Sequence, residues 1–221
     1  MQITIREPGS AITHFIGMMM AVFAAAPLLI KAASTADPIS YPAMTIFILS
    51  MIALYGASAL YHSVTVKERV LTIFQKIDHM MIFVLIAGSY TPVCLIVLDH
   101  KLGYPLLAVV WGLAIIGMMI NILWITCPKW FSSLLYIAMG WVCVLAFTQL
   151  INSFSRQAFA WLLAGGIIYT IGGIIYALKL PIFNSKHKHF GSHEVFHLFV
   201  MGGSVCHFIV MYFFVANRPL L

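Results

Sequence analysis

Seven apolar stretches, each about the length needed to cross a lipid bilayer, are the feature that most restricts the fold of this chain. A membrane-spanning helix needs about 20 consecutive, mostly apolar residues. Such stretches cover approximately residues 11–32, 42–62, 77–98, 105–125, 132–151, 158–178 and 194–215. Only 8% of the residues are charged, whereas a soluble domain carries roughly 25%. The sequence therefore predicts an all-α, seven-helix transmembrane bundle that forms one domain over residues 1–221.

The distribution of Lys and Arg predicts the orientation of this bundle. If the N-terminus is cytoplasmic, eight of the 12 basic residues fall on the cytoplasmic side. The other four face outward, and they are Lys31, Lys101, Arg156 and Arg218. Because cytoplasmic loops carry the excess of basic residues, we expect a cytoplasmic N-terminus and an external Leu221. The basic residues are spread over short loops, so the net charge of +6 does not indicate nucleic acid binding.

Four polar residues from distant parts of the sequence fall at one predicted membrane depth. His62 ends the second stretch, Asp78 opens the third, and His193 and His197 open the seventh, all on the inner side. Ionisable groups at this depth are costly and usually face the bundle interior and pair with one another. Three neutral imidazoles and a water around Zn²⁺ would satisfy them, which is also the layout of a catalytic zinc site. The sequence therefore predicts a zinc site formed by the three histidines.

The segment His193-Glu194-Val195-Phe196-His197 also matches the H-E-x-x-H pattern of zinc proteases. One protease class needs a third histidine six residues after the second, and that position is Gly203. Another class needs a downstream acidic ligand, but no Asp or Glu follows Glu194. The third ligand must therefore come from upstream. Glu194 points about 100° around the helix from His193, and we do not assign it as a catalytic base.

Several separated motifs resemble the hemolysin III family, the bacterial branch of the progestin and adipoQ receptor proteins, which include the adiponectin receptors. These motifs are "SALYHS", "KIDH", "GSYTP", "SHEVFHLFV" and "GGSVCHF". The opening "REPGSAITHFIG" is similar to the start of that family, although Ser10 stands where an Asn is expected. The resemblance runs from about residue 6 to residue 215. With the short loops, it indicates a multi-pass protein of a bacterial inner membrane.

The resemblance implies seven helices around an intramembrane zinc near the cytoplasmic side. His62, His193 and His197 match the zinc ligands of the family. Asp78 matches the acid that contacts the zinc-bound water, and Ser58 matches a nearby polar residue. Each also has a simpler explanation: Asp78 suits the positive end of a helix dipole, and a serine in a membrane helix often bonds to its own backbone.

The remaining histidines and a group of glycines have structural or peripheral roles by the same reasoning. His14 lies at the depth of the predicted ligands, and His79 follows Asp78, so both are candidates for contacts around the metal. His207 lies ten residues beyond His197, roughly 15 Å along a helix, which is too far to share its metal. Close helix packing is predicted for Gly165, Gly166, Gly172 and Gly173.

Three functions are compatible with these residues. The first is a zinc hydrolase that acts on an amide or ester of a membrane lipid entering from the inner leaflet, with Asp78 as general base. The resemblance adds that adiponectin receptors and alkaline ceramidases have been linked to this chemistry. The second is a non-enzymatic protein with a structural zinc that senses or maintains the bilayer. The third is a cytolytic pore, although the stretches lack the charged rows that line ion pathways. The sequence does not determine the substrate or the oligomeric state.

Overall fold

The chain folds into a bundle of long helices in a computed structural model that describes residues 5–124, 127–178 and 191–218. Within these ranges the regular structure is helical, and seven helices are long and apolar enough to cross a membrane. The predicted seven-span, all-α architecture is confirmed. The helices are α1 (Pro8–Ala33), α2 (Ser40–Ser63), α3 (Glu68–Val97), α4 (His100–Leu123), α5 (Trp130–Ser153), α6 (Arg156–Leu178) and α7 (Ser192–Val215).

Some predictions fall on parts of the chain outside the described residues. These are the expected external position of Leu221 and the expected cytoplasmic position of three of the eight basic residues. The three are Lys179, Lys186 and Lys188. The orientation of the bundle in the membrane stays a prediction.

Helix α3 begins much earlier than its apolar stretch. The structure starts this helix at Glu68, not at residue 77, and the acidic side chain lies in the first turn, where it complements the positive end of the helix dipole. Hydropathy marks only the part of a helix that meets lipid, so it misses a polar first segment of this kind. Asp78 consequently lies in the third turn of α3, not at its start.

Two helices depart from α-helical geometry for identifiable reasons. Pro92 has no N–H to donate, and α3 continues beyond it as a π-helical turn over Val93–Val97. In α5 the stretch Trp141–Ala146 is a 3₁₀ helix. There the Tyr90 hydroxyl of α3 donates to Gly140 O at 2.6 Å and accepts the N–H of Cys143 at 2.8 Å. A side chain inserted into the backbone ladder is a recognised cause of such a distortion.

The helices pack as a ring in chain order, with α2 and α3 the most enclosed. α1 contacts α2, α2 contacts α3, α3 contacts α4, α4 contacts α5, α5 contacts α6, α6 contacts α7, and α7 returns to α1. In α2 and α3, 56% of the most apolar segment is buried, against 22% in α1, α4, α5 and α6. The four less buried helices therefore present most of their apolar surface outward, as lipid-facing helices do.

Glycines on α6 serve two different purposes. A Cβ added at Gly165 would lie 2.5 Å from the His207 ring, and one at Gly172 would lie 2.7 Å from Phe199 Cβ. These two glycines let α6 approach α7 closely, as the sequence predicted. A Cβ at Gly166, in contrast, meets nothing within 4 Å, and Gly166 lines a cavity. Gly166 does not serve helix contact.

The alternation of the helices defines two ends of the bundle. We call the end at which α2 finishes and α7 begins the histidine end, because it contains His62 and His193. The odd-numbered helices begin there and the even-numbered helices finish there. At the opposite end α1 finishes at Ala33 and α2 begins at Ser40.

Candidate metal centre

The three predicted ligands are carried by two helix termini at the histidine end. His62 is the penultimate residue of α2, which stops at Ser63 because Val64 adopts an extended conformation. His193 and His197 lie one turn apart near the start of α7, where residues at i and i+4 share a helix face. His62 and His197 are 1% and 2% exposed. Two buried imidazoles with a third beside them are costly to desolvate unless something binds them.

The three imidazoles converge on one point. Their possible ligand atoms all lie within 4.8 Å of one another. His193 Nε2 lies 3.2 Å from His62 Nε2. Two nitrogen ligands of a tetrahedral zinc, with bonds of roughly 2.0–2.1 Å, are separated by about 3.3 Å. The structure therefore brings His62, His193 and His197 into an arrangement that could hold a metal ion.

A carboxylate behind His62 orients its ring. His62 Nδ1 forms a short hydrogen bond to the Glu7 carboxylate, and the Glu7 N–H donates to His62 O at 3.0 Å. With the proton on Nδ1, the lone pair of His62 Nε2 faces His193 and His197. Metal-binding histidines usually donate their second N–H to a carboxylate or carbonyl in this way, which fixes the tautomer.

Thr13 of helix α1 orients the ring of His197. His197 Nδ1 lies 3.3 Å from Thr13 Oγ1. The Thr13 hydroxyl is placed to donate to Gly9 O or Ser10 O, each at 3.0 Å. A threonine hydroxyl has one proton, so a hydroxyl that donates to the backbone must accept from His197 Nδ1. That leaves the lone pair on His197 Nε2, as a metal ligand requires.

His14 is in direct contact with one of the predicted ligands, His197. Its ring stacks on His197 with 3.5 Å between centroids and 8° between planes, and it also meets Tyr55 edge-on at 5.1 Å. His14 is 3% exposed and interacts with the backbone of His197, although neither ring nitrogen has a partner of strict hydrogen-bond geometry among the described residues. The stack restricts rotation of the His197 ring, so His14 is a contact residue of the metal centre.

Asp78 and Ser58 lie next to this group on α3 and α2. They are 6% and 0% exposed, and Ser58 stands one turn before His62. The carboxyl group of Asp78 interacts with the Ser58 hydroxyl, although Ser58 Oγ has no partner of hydrogen-bond geometry among the described residues. The buried Asp78 carboxyl group thus lies at the Ser58 hydroxyl, one turn before His62, and neither residue belongs to the group of three that could hold the metal.

Glu194, the acidic residue of the H-E-x-x-H pattern, has a structural role. Its Oε2 accepts the N–H of Gly191 at 2.7 Å, which caps the first turn of α7. Its Oε1 accepts the Ser10 hydroxyl at 2.6 Å, which ties α7 to α1. Because both carboxylate oxygens have these partners, Glu194 is a helix-capping residue and the resemblance to a protease motif is incidental. Ser10, the position that departs from the family pattern, supplies the second contact.

Two residues of the centre were missed in the sequence, Glu7 and Thr13. The signal for Glu7 was present, since the chain has only six acidic residues and this one directly precedes Pro8, which opens α1 at the histidine end. No signal marked Thr13, because its role depends on how α1 is rotated against α7. His207, predicted to lie too far from the metal, instead contacts Gly203 O through Nδ1 at 2.9 Å.

An apolar cavity of about 150 Å³ adjoins the centre between α3, α5, α6 and α7. Phe196, the neighbour of His197 in sequence, forms part of its wall. Val144, Phe147 and Leu163 also line it and are themselves 54%, 48% and 39% exposed. The cavity therefore opens to the outer face of the bundle between α5 and α6.

Fold and centre together define a class: a seven-helix membrane protein whose spanning helices assemble three histidines that could hold a metal ion. The chain belongs to the haemolysin-III related family, whose model matches residues 2–208. In bacteria such a multi-pass protein resides in the plasma membrane.

Individual relatives agree with this assignment. The chain is 38% identical to the Hemolysin-3 homolog of Bacillus subtilis (strain 168) over 99% of both proteins. It is also 38% identical to the Hemolysin-3 of Bacillus cereus over 95% of this chain and 91% of that one. A shorter similarity, 33% over 60 residues, links it to the adiponectin receptor protein of Drosophila melanogaster and covers 26% of this chain and 14% of that protein.

Proposed function

We propose that this protein is a zinc-dependent hydrolase that cleaves an amide or ester bond of a membrane lipid. The observation that supports it most is the donor set of the centre, which consists of three imidazoles and no carboxylate among the described residues. A structural zinc normally has four protein ligands, whereas a catalytic zinc has three and an open position. His62, His193 and His197 would hold the ion. When bound, it would polarise a substrate carbonyl and make a water more acidic.

Asp78 is the residue we assign as general base. One of its carboxylate oxygens would accept a proton from the attacking water and later deliver it to the nitrogen or oxygen of the leaving group. Ser58, whose hydroxyl lies beside this carboxyl group, would hold it in position. Because both side chains are buried, bulk water is excluded from the proton transfer.

The apolar cavity supports a lipid substrate. It opens toward lipid between α5 and α6, and it reaches Phe196 next to the metal centre. The three histidines are not among the residues that line this cavity, so an acyl chain that enters sideways from the bilayer would have to pass Phe196 to bring its carbonyl to them. Sites of this kind combine a mostly apolar wall with a few polar groups that fix orientation.

The decisive experiment incubates zinc-loaded protein with a mixed lipid extract and follows released fatty acids by mass spectrometry. We expect release by the wild type. Asp78→Asn keeps the shape of the side chain but removes the base, so turnover should fall on the order of a hundredfold while zinc is retained. Asp99→Asn, at the opposite end, is the matched control and should keep full activity. Unchanged turnover in Asp78→Asn with bound zinc would remove Asp78 from the mechanism.

The same preparations separate the two alternatives. A non-enzymatic protein with a structural zinc would release no fatty acid, and Asp78→Asn would then lower the melting temperature, the zinc content or both. Cytolysis is favoured by the name of the two Bacillus relatives. Under that function the wild type would release a trapped dye from liposomes, and it would do so without lipid hydrolysis.

A further inference from the structure

A second cavity, distinct from the metal centre and the apolar cavity, lies at the histidine end between α3, α4, α5 and α6. Its volume is about 100 Å³. We call it the polar cavity, because several polar side chains line it, among them Thr72, Gln75, Lys76, Asn121 and Ser132. None of the described residues that line it is acidic, and Lys76 is the lysine among them. The proposed hydrolysis uses none of these five residues.

We propose that the polar cavity binds the phosphate headgroup of an anionic glycerophospholipid whose acyl chain lies in the adjoining apolar cavity. Ile82 and Tyr136 line both cavities, so the two cavities adjoin at these side chains. A ligand that passes them and occupies both cavities would join an acceptor-rich, negatively charged group to an apolar chain. The substrate of the proposed hydrolysis would use the same apolar cavity, but headgroup binding needs no metal ion, so each proposal can fail without the other.

The donors of the polar cavity are arranged for an anion. Lys76 Nζ donates to Ile122 O at 2.9 Å, which holds the ammonium group at the rim between α3 and α4. An ammonium group has three protons, so this bond leaves donors for a ligand. The Asn121 amide donates toward the Tyr136 hydroxyl. Because an amide NH2 group carries two protons, one proton is left for a ligand in the cavity.

The charges around the cavity also favour an anion. Lys67 and Arg69 stand at the same end of the bundle, exposed at the start of α3. Glu68 stands between them, so these three residues leave one net positive charge at the start of α3. Asp78 lies about 100° around the helix from His79, a residue of the cavity wall. Its carboxyl group interacts with Ser58 of α2. The basic residues at this end would attract anionic lipids, and the cavity would select their headgroups.

The first test measures lipid retained per chain by native mass spectrometry of detergent-purified protein. The probes are phosphatidylglycerol, a diacylglycerol with the same chains, and inorganic phosphate. We expect phosphatidylglycerol to be retained and the diacylglycerol to be lost. Equal retention of both lipids would overturn headgroup recognition. Displacement of the lipid by inorganic phosphate at comparable concentration would also overturn the proposal, since the ligand would then be a free anion.

Paired variants locate the headgroup. Lys76→Gln should weaken phosphatidylglycerol binding about tenfold, the usual scale for one charge-assisted hydrogen bond. Lys67→Gln removes the same charge from the same end but outside the cavity, and binding should change by less than about twofold. Asn121→Asp preserves the side-chain volume and places a negative charge at the cavity, so it should also weaken binding. Thermal unfolding confirms that each variant is folded. Equal loss in Lys76→Gln and Lys67→Gln, or no loss in Lys76→Gln and Asn121→Asp, would refute the site.

A second pair locates the acyl chain. Gly166 lines the apolar cavity, and a Cβ there meets nothing within 4 Å. Gly166→Leu should fill this space and reduce phosphatidylglycerol retention severalfold. A Cβ at Gly112 on α4 also meets nothing within 4 Å, and Gly112 is not among the residues that line either cavity. Gly112→Leu is therefore the matched control and should bind as the wild type does. Unchanged retention in Gly166→Leu would overturn the placement of the chain.

Discussion

The two ends of the bundle use polar residues in different ways. At the opposite end, polar side chains bind the backbone of neighbouring helices. The Ser40 hydroxyl donates to Ala216 O at 3.1 Å, and Lys31 Nζ donates to Tyr212 O at 2.6 Å. Each of these contacts closes α7 against α1 or α2. Because these groups already have backbone partners, this end has a structural role.

Asp99 continues this pattern in the connection between α3 and α4. It accepts the N–H of Leu102 at 2.9 Å and caps α4, and it also accepts a short hydrogen bond from Gln149. The Leu102 N–H, followed by the Gln149 amide, holds the pKa of the exposed Asp99 carboxyl below its ordinary value. A charged group held by its own helix terminus serves the fold.

At the histidine end, the ring nitrogens of three histidines face one another. The 3.2 Å between His193 Nε2 and His62 Nε2 suits two ligands of one ion, and the buried ring of His14 stacks on His197 beside them. The difference teaches where to look for ligands in a membrane bundle. Side chains whose ring nitrogens converge on one point indicate a binding site, whereas side chains paired with backbone indicate a structural contact.

The largest expected effect is loss of the metal from the histidine end. The double variant His193→Ala, His197→Ala removes two of three ligands, so elemental analysis of purified protein should find no zinc where the wild type has one per chain. His207→Ala, whose imidazole binds Gly203 O, should keep its zinc. Full zinc retention in the double variant would show that these histidines do not hold the metal.

The next effect is an on-or-off signal that identifies the cytoplasmic end. The positive-inside rule places the histidine end in the cytoplasm and Leu221 outside. A reporter that is active only in the cytoplasm should therefore be silent when fused to the C-terminus. The same reporter fused to the N-terminus should be active. The reverse result would place the metal centre in the outer half of the bilayer.

A smaller effect concerns the carboxylate behind His62. Glu7→Gln keeps the side-chain size but weakens the hydrogen bond to His62 Nδ1, so zinc affinity should fall by about 10- to 100-fold. Competition with a chromophoric chelator measures this change. Glu68→Gln, at the exposed start of α3, is the matched control and should bind zinc as the wild type does. Equal affinity in both variants would mean that Glu7 does not orient the ligand.

The smallest effect belongs to the opposite end. Ser40→Ala removes one interhelical hydrogen bond, to Ala216 O, and such bonds in membrane proteins contribute about 0.6 kcal/mol on average. Unfolding in mixed micelles should show this small loss of stability, with zinc content and affinity unchanged. A loss of zinc in Ser40→Ala would show that the two ends are coupled and would weaken the comparison.

The sequence by itself determined the number of spans and the end at which each polar residue lies. Both follow from local hydropathy, because each crossing reverses the direction of the chain and so assigns every loop to one side. That was enough to place His62, His193 and His197 at one depth in the membrane. It also separated His207 from them, since distance along a helix is fixed by its rise per residue.

The tertiary structure decided which side chains meet at that depth. Glu7 reaches His62, Thr13 reaches His197, and Glu194 turns to Gly191 because of how α1, α2 and α7 are rotated and packed. Helix rotation about its axis depends on contacts with all neighbours at once, and hydropathy along one chain does not contain it. The same reason explains why adjacent glycines on α6 differ, one packing against α7 and the next lining a cavity. Depth is a local property of the sequence, whereas direction in the membrane plane is set by the assembled bundle.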